Sequence, residues 1–508
     1  MSWGWRFSGW RRGGCGGGRK QGVWVYDLVV IGGGTAGLVS AAGAASMGAR
    51  TALIERDRLG GECLHYGCVP TKALIRSAKV AHTLRRAEEF GMKPVEAEVD
   101  FPAVMRRMRR VIGEVGRHDS PERFRALGVE LFLEQQASFE APDEISVDGR
   151  SLRARSVILA TGSHPAVPPV TGLREAGYIT HVEALELERL PESLIIIGAG
   201  PIGCEFAQIF TRFGCRVSLL EVLPNPLPRE DPEISVTLRD RLEAEDVSFH
   251  GGRRVIEVRR TGSEKAVISE NDRRERLELR AEEILLATGQ LPAVEGLNPE
   301  NAGIELQRTG VRVDANLRTT APGVYAAGDV TGKYLFTHVA EYQGRLALRN
   351  ALFPLGSRAD YRVVPRVTFT DPEVARVGLT EPEARRQHDK VKVFRYPFAD
   401  LDRAIADGEP EGFVKLVADR RGRILGGHII GAGAGNLIQE ITLAMHRNIP
   451  VGQLSQTIHA YPTLSEGVKR AADIYYRELL FTGRNRRIFE TFFKLRRLLN
   501  RYGPGRRG

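Results

Sequence analysis

A chain of 508 residues, 42% hydrophobic and 27% charged, has the length of about three domains and the balance of a soluble globular protein. It contains no apolar run of about 18 residues to span a bilayer, and its five cysteines are too few for a secreted disulfide scaffold and show no zinc-ligand spacing. The net charge of +10 sits at the ends: residues 1–22 hold five Lys/Arg and no acid, residues 477–508 hold ten Lys/Arg against two Glu, and 23–476 sums to −3, which argues against a nucleic-acid-binding body.

Residues 1–22 are Gly, Arg and Trp in low-complexity order, and Trp3, Trp5, Trp10 and Trp24 are all the tryptophans present. No apolar stretch follows the arginines, so a secretory signal fits poorly. The segment reads as a disordered leader, or as an upstream extension that is never translated, with Cys15 an incidental thiol. From Tyr26 the pattern changes. Residues 27–31 form a buried-strand run ending in Gly32-Gly-Gly34-Thr-Ala-Gly37, a small-residue helix follows, and a second strand closes on Glu55. The arrangement returns at 194–197, with Gly198-Ala-Gly200-Pro-Ile-Gly203 and a strand closing on Glu221. In both copies the first glycine and the acid are 23 residues apart. One such loop is a weak signal, but two, each between strand and helix and each closed by an acid, form a strong one. The first glycine makes the tight turn, the second admits a pyrophosphate to the backbone and the third lets helix and strand pack closely. The helix N-terminus then holds the phosphates, and Glu55 and Glu221 accept from an adenosine ribose. Two dinucleotides in one chain point to a flavin and a nicotinamide.

Between the copies lies Gly60-Gly-Glu-Cys63-Leu-His-Tyr-Gly-Cys68-Val-Pro-Thr-Lys72. The cysteines are five apart, about a turn and a half if the segment is helical. The flanking glycines and following proline favour redox chemistry over a pair of buried thiols. Here the sequence resembles the class I pyridine nucleotide-disulfide oxidoreductases, the family of glutathione reductase, dihydrolipoyl dehydrogenase and mercuric reductase. The resemblance runs from about Tyr26 to Tyr476. It takes in two Ala-Thr-Gly strand ends at Gly162 and Gly289, a second flavin motif at 324–329, and the opening of a dimerisation domain at 364–373.

That resemblance implies an α/β fold with two Rossmann-like dinucleotide-binding domains, for FAD and NAD, and a C-terminal α/β dimerisation domain. The expected spans are 23–175 with 311–355 for FAD, 190–310 for NAD(P), 360–476 for the interface domain and 477–508 for a basic tail. It further implies a homodimer whose active site is completed by the partner's C-terminal segment. Hydride is expected to pass from the nicotinamide through FAD to a Cys63–Cys68 disulfide. Cys68 takes the place of the thiol against the flavin, Cys63 that of the interchange thiol, and Lys72 with Glu205 that of the ion pair beside the flavin. Cofactor contacts are expected at Gly32, Gly34, Gly37, Glu55, Gly162 and Asp329, and at Gly198, Gly200, Gly203, Glu221 and Gly289. Cys204 and Cys215 read as small core residues. No metal site is expected.

Two features depart from the family pattern. Members that exchange dithiols carry a His five residues before a Glu, and that His acts as base in the partner's site. Here Tyr461 stands five before Glu466, with His459 two residues earlier. A phenol of pKa near 10 is a poor base at neutral pH. Mercuric reductases share the Tyr but end in a cysteine pair, whereas no Cys follows Cys215 here. The expected function is therefore mercuric-reductase-like transfer to another small-molecule electron acceptor. Alternatives are a dihydrolipoyl dehydrogenase whose base is His459 or dispensable, and a membrane-associated flavin-binding sensor or scaffold with little turnover. The second departure is Pro201, where many members have a Tyr over the flavin. Glu221 would repel a 2′-phosphate and residues 222–224 offer no Arg, so NADH is expected over NADPH. In the tail, Ile488, Phe492, Leu495 and Leu499 follow i, i+4, i+7, i+11. Phe489, Phe493 and Leu498 widen the stripe, and Arg487, Lys494, Arg497 and Arg501 lie opposite or flank it. Over 486–501 that composition suits an anionic membrane surface; the rival is packing on the enzyme's own body or across the dimer. The expected location is the cytoplasm, peripheral on the inner face of the membrane if the tail binds lipid.

Overall fold

The structure is a computed structural model and describes residues 26–93, 98–481 and 483–502. The leader expected at 1–22, with Cys15 and the four tryptophans, lies outside the described residues.

The apolar run after Tyr26 becomes the strand Tyr26–Ile31, in which Leu28, Val29 and Val30 are completely buried. Parallel sheets covered on both faces need such uninterrupted apolar strands. This one pairs in parallel with Thr51–Glu55 and with Arg150–Leu159; Val129–Leu133 extends one side and Val324–Ala326 the other. The strand Arg150–Leu159 divides its length. Its end carries the parallel pairing, while its start pairs antiparallel with Glu144–Val147, which in turn pairs with Ala137–Ala141. Helix Thr35–Ser46 meets helix Thr337–Leu352 through small residues. A Cβ on Gly344 would stand 2.6 Å from the Ala36 carbonyl oxygen, so only glycine allows this approach.

The chain between Leu159 and Val324 leaves that sheet and builds a second one. Its parallel order is Ser248–His250, Arg216–Leu220, Ser193–Ile197, Glu283–Leu286, with an antiparallel meander of Arg254–Thr261, Glu264–Glu270 and Arg276–Ala281 beside it. The outgoing and returning chains pair as a short ribbon, Ser163–Pro165 against Gln290–Pro292. A third, antiparallel sheet has the order Arg366–Thr368, Glu373–Gly378, Ile424–Gly431, Phe413–Asp419, Val391–Pro397. Helices Ala434–His446 and Glu466–Phe481 pack on it over a core that includes Phe394, Phe398 and Val468. Helix Glu466–Phe481, fastened to this core by Val468, Ala471 and Ala472, continues past residue 476. The fold class is α/β, with two Rossmann-like units and a C-terminal α/β unit.

Buried charge ties the units together. The Arg212 side chain, 2% exposed, holds Glu245 at 2.7 Å and Asp371 at 2.9 Å, and Lys79 reaches Asp371 at 3.0 Å. Lys415, 5% exposed, meets Asp231, Glu233 and Glu381 at 2.9, 3.3 and 2.8 Å. Each cluster joins the second sheet's helices to the third sheet's strands or their flanking loops. Among the described residues no helix is long and apolar enough to cross a membrane.

Candidate active site

The two glycine loops repeat each other in geometry. Gly32 and Gly198 adopt φ of +107° and +103°, in the left-handed region that favours glycine. A Cβ there would stand 2.3 Å from the Ala160 oxygen or 2.4 Å from the Ala287 oxygen. A Cβ on Gly37 or Gly203 would lie 1.8 or 1.9 Å from the carbonyl oxygen of Gly32 or Gly198, so the third glycine closes the turn on itself. The middle glycine differs. Around Gly200 nothing lies within 4 Å of the Cβ position, and around Gly34 the nearest atom is at 4.0 Å. Each middle glycine caps a helix and faces open space, the place where a pyrophosphate approaches. Each strand-end acid is held to its loop: Glu55 Oε2 accepts from Gly33 N at 2.5 Å and Glu221 Oε2 from Ala199 N at 2.8 Å.

The redox segment is not one helix. Gly61–His65 forms a short helix, the chain breaks at Tyr66 and Gly67, and Cys68 begins the helix Cys68–Arg85. The expected turn and a half is thereby replaced by a step that sets Cys68 at a helix N-terminus, whose free N–H groups and dipole favour a thiolate. Thr337 opens a second helix against the same sulfur, with Oγ1 3.3 Å from Cys68 Sγ. The Cys63 thiol donates to Cys68, Thr337 adds its hydroxyl and Lys72 its charge, and against the opposing effect of burial these bring Cys68 down to about 6. Cys63, which keeps the shared proton, is pushed up. Lys72 and Glu205, 133 residues apart, form a two-point pair at 2.9 and 3.1 Å. Glu205 also accepts from Phe369 N at 2.9 Å, and the Lys72 ammonium sits 4.5 Å from the Phe369 ring centre.

Residues 26–344 match the family model for pyridine nucleotide-disulphide oxidoreductases, and 364–472 match that family's dimerisation domain. The chain belongs to the pyridine nucleotide-disulphide oxidoreductase family. It is 35% identical over 461 residues to dihydrolipoyl dehydrogenase of Bacillus subtilis (strain 168), covering 88% of this chain and 97% of that protein. Mercuric reductase of Bacillus cereus is 34% identical over 453 residues, 89% of this chain and 72% of that one. Among solved structures, the HOCl-induced flavoprotein disulfide reductase RclA from Escherichia coli matches with a TM-score of 0.79 at 30% identity, over 88% of this chain and 100% of that one. Like these relatives, the protein is an NAD(P)H-dependent flavoprotein disulfide oxidoreductase, and its cofactors are FAD and NAD(P)H.

The residues present fit the family's cofactors. A Cβ would stand in open space at Gly162 and Gly289, as at Gly200. Beside Gly162 the buried Thr161 hydroxyl has no partner among the described residues. The Asp329 carboxyl is pushed up to about 7, by burial first and then by the charge of Glu62, and its hydrogen bond from Ser163 Oγ is long at 3.3 Å. A protonated carboxyl with spare capacity suits an uncharged polyol such as a ribityl chain.

One cluster in this family member escaped the sequence reading. Glu62, directly before Cys63, accepts from His181 Nε2 at 3.0 Å and from Gln290 Nε2 at 3.3 Å. His181 and Gln290 lie on the outgoing and returning crossings between the two parallel sheets, so Glu62 ties the redox segment to both. The only available signal was a carboxylate beside a redox cysteine. His65 and Tyr66, between the cysteines, are taken up locally. His65 Nε2 donates to the Leu59 carbonyl at 2.8 Å, and the Tyr66 hydroxyl donates to Asp57 at 2.9 Å. Cys204 and Cys215 are buried in the hydrophobic core.

The C-terminal segment gives Tyr461, Glu466 and His459 separate partners. Tyr461, 66% exposed, donates its hydroxyl to Asp402 at 2.9 Å, and that bond pushes the phenol above its ordinary value. Glu466 is buried at the start of its helix and meets Arg470 at 3.5 Å. His459 has neither ring nitrogen free: Nδ1 faces the Thr457 carbonyl at 3.0 Å and Nε2 the Glu440 carboxylate at 2.9 Å.

The open space at Gly200 permits a test of ligand binding apart from folding. Gly200→Ala meets no atom within 4 Å, and loss of a glycine cap costs under about 1 kcal/mol. We expect the Kd for NADH to rise at least about tenfold, a change of about 1.4 kcal/mol, with little shift in the unfolding midpoint. Equal losses of affinity and stability would mean the loop is only structural.

Proposed function

We propose that the enzyme passes two electrons from NADH through FAD to a Cys63–Cys68 disulfide, and from there to a small-molecule acceptor that needs no histidine base. The observation that carries this reading is the placement of Cys68 at a helix N-terminus against the Thr337 hydroxyl, with Cys63 as its proton donor. Reduction of the disulfide takes two electrons and two protons. With Cys68 remaining a thiolate only one of those protons is taken up, the hydride of NADH carries it with both electrons, and it rests on Cys63. Cys63 is then the thiol that meets the acceptor, and Lys72, held by Glu205, keeps a positive charge beside the centre. Bound FAD supplies the two-electron relay between nicotinamide and disulfide. It is held by Gly32, Gly34, Gly37, Glu55, Gly162 and Asp329 within 23–175 and 311–355. The nicotinamide cofactor is held by Gly198, Gly200, Gly203, Glu221 and Gly289 within 190–310. Residues 360–476 form the dimer contact, and the enzyme works as a cytoplasmic homodimer with a peripheral membrane contact through 486–501.

NADH preference is supported by the Glu221 carboxylate, which is fixed at the strand end by Ala199 N and Leu223 N at 2.8 and 3.1 Å and would face a 2′-phosphate. A kcat/KM favouring NADPH would refute it. The acceptor is tested by steady-state NADH oxidation against lipoamide, glutathione disulfide, a quinone and oxygen. Slow lipoamide turnover beside a faster second acceptor is expected. Lipoamide as the best substrate would favour the dihydrolipoyl dehydrogenase reading, which the similarity to those enzymes supports.

Tyr461→His should raise lipoamide reduction at least about tenfold, below the usual 10²- to 10⁴-fold worth of acid–base assistance. An unchanged rate would mean that this segment does not serve the thiol site.

A further inference from the structure

The helix Gly483–Tyr502 is about 30 Å long and has seven Lys/Arg against one Glu in its sequence. Every described side chain from Arg486 to Leu499 is exposed. Ile488, Phe492, Leu495 and Leu499, the spaced stripe, are between 54% and 71% exposed. The enzyme's own body does not cover them, so the intramolecular packing alternative finds no support in the single chain. The apolar surface continues round the helix: Phe489 and Phe493 face Leu480 and Phe481 across an open groove of about 900 Å³ rimmed by Arg486, Glu490, Arg496 and Arg497. Scattered exposed apolar residues need no explanation, but a continuous face of this kind marks a contact surface.

We propose that this helix lies in the plane of a bilayer surface and requires acidic phospholipid there. The proposal rests on the peripheral contact in the reading above and adds the chemistry of the partner. Charge complementarity favours it, since Arg487, Lys494 and Arg497 form a basic face opposite the stripe. Arg496 separates a lipid surface from a second copy of this chain. At 100° per residue it falls between Phe489 and Phe492, inside the apolar arc. In a protein–protein seam its charge would be buried at a large cost. At a bilayer its long side chain reaches up to a headgroup phosphate while its methylenes stay among the acyl chains. Phenylalanines on one face with arginines at its border are the composition that inserts shallowly beneath acidic headgroups.

The test is co-sedimentation of the full-length, FAD-loaded protein with vesicles, either phosphatidylcholine alone or phosphatidylcholine with phosphatidylglycerol. Binding should be at least about tenfold tighter to the acidic vesicles and should weaken as salt rises. The triple variant Arg487→Gln, Lys494→Gln, Arg497→Gln should bind acidic vesicles at least about tenfold more weakly, with NADH oxidation in solution unchanged. The double variant Phe492→Ser, Leu495→Ser should also lose binding. Equal binding to both vesicle types would overturn the requirement for acidic lipid while leaving the peripheral contact standing. No binding to either at low salt would overturn both. A change in oligomeric state of the double variant, with vesicle binding intact, would assign the face to a second copy and overturn the proposal.

Discussion

Cys68→Ser is expected to abolish electron transfer to every acceptor that draws on the disulfide, lowering kcat at least about 10³-fold, or about 4 kcal/mol of barrier. A serine hydroxyl cannot form the disulfide and stays protonated at neutral pH. The thiolate itself can be followed in the reduced enzyme by its ultraviolet absorbance. In the wild type it should appear with a midpoint near pH 6, the value set first by the Cys63 thiol and then by Thr337 and Lys72. The sign follows from the charge. The anion is stabilised, so it persists above pH 6 and is lost as pH falls through that value. Cys63→Ala removes the leading donor and should move the midpoint toward the ordinary thiol value of about 8.5. A wild-type midpoint already near 8.5 would mean that Cys68 is not held as the anion, and the assigned division between the two sulfurs would fail.

Arg212→Met should destabilise the fold by about 3–5 kcal/mol, the usual result of removing one partner from a buried ionic cluster. Glu245 and Asp371 would be left with Arg241 and Lys79, at 2.8 and 3.0 Å, so the lower end of that range is expected. The loss should appear as a lower midpoint in urea. A second, earlier transition is also expected if the third sheet releases first, since Asp371 leads into it. The large size of the chain makes such multi-step unfolding ordinary. A loss under about 1 kcal/mol would mean that solvent reaches the cluster and that the domains are joined by other contacts. Cys68→Ser lies outside this cluster and should leave the midpoint nearly unchanged, which separates the two variants.

The parts of the site legible in the sequence are those in which backbone demands are local. A glycine needed at φ near +107°, and another whose Cβ would strike a carbonyl five residues back, must recur at fixed spacing wherever that turn is built. The strand-end acids follow because the strand and helix lengths between them are fixed. The Lys72–Glu205 pair was legible only by family resemblance, since nothing near either residue announces a partner 133 positions away. Arg212, Glu245 and Asp371 were invisible for the same reason. The break at Gly67 was missed because a lone glycine in helical spacing is compatible with either outcome. The Tyr461 hydroxyl takes Asp402, a partner 59 positions away that no motif announces. In the tail the period of the stripe was readable, but whether anything covered it depended on where Glu466–Phe481 ended and how the next helix left it.

We propose that Cys63 and Cys68 are an electron-accepting disulfide in series with the flavin. Anaerobic titration of the oxidised, FAD-loaded enzyme with NADH tests it most directly. Uptake of two equivalents of NADH per FAD is expected in the wild type and one in Cys68→Ser, with two free thiols appearing only in the wild type. Uptake of a single equivalent by the wild type, with no new thiols, would contradict it and leave the cysteines outside the circuit.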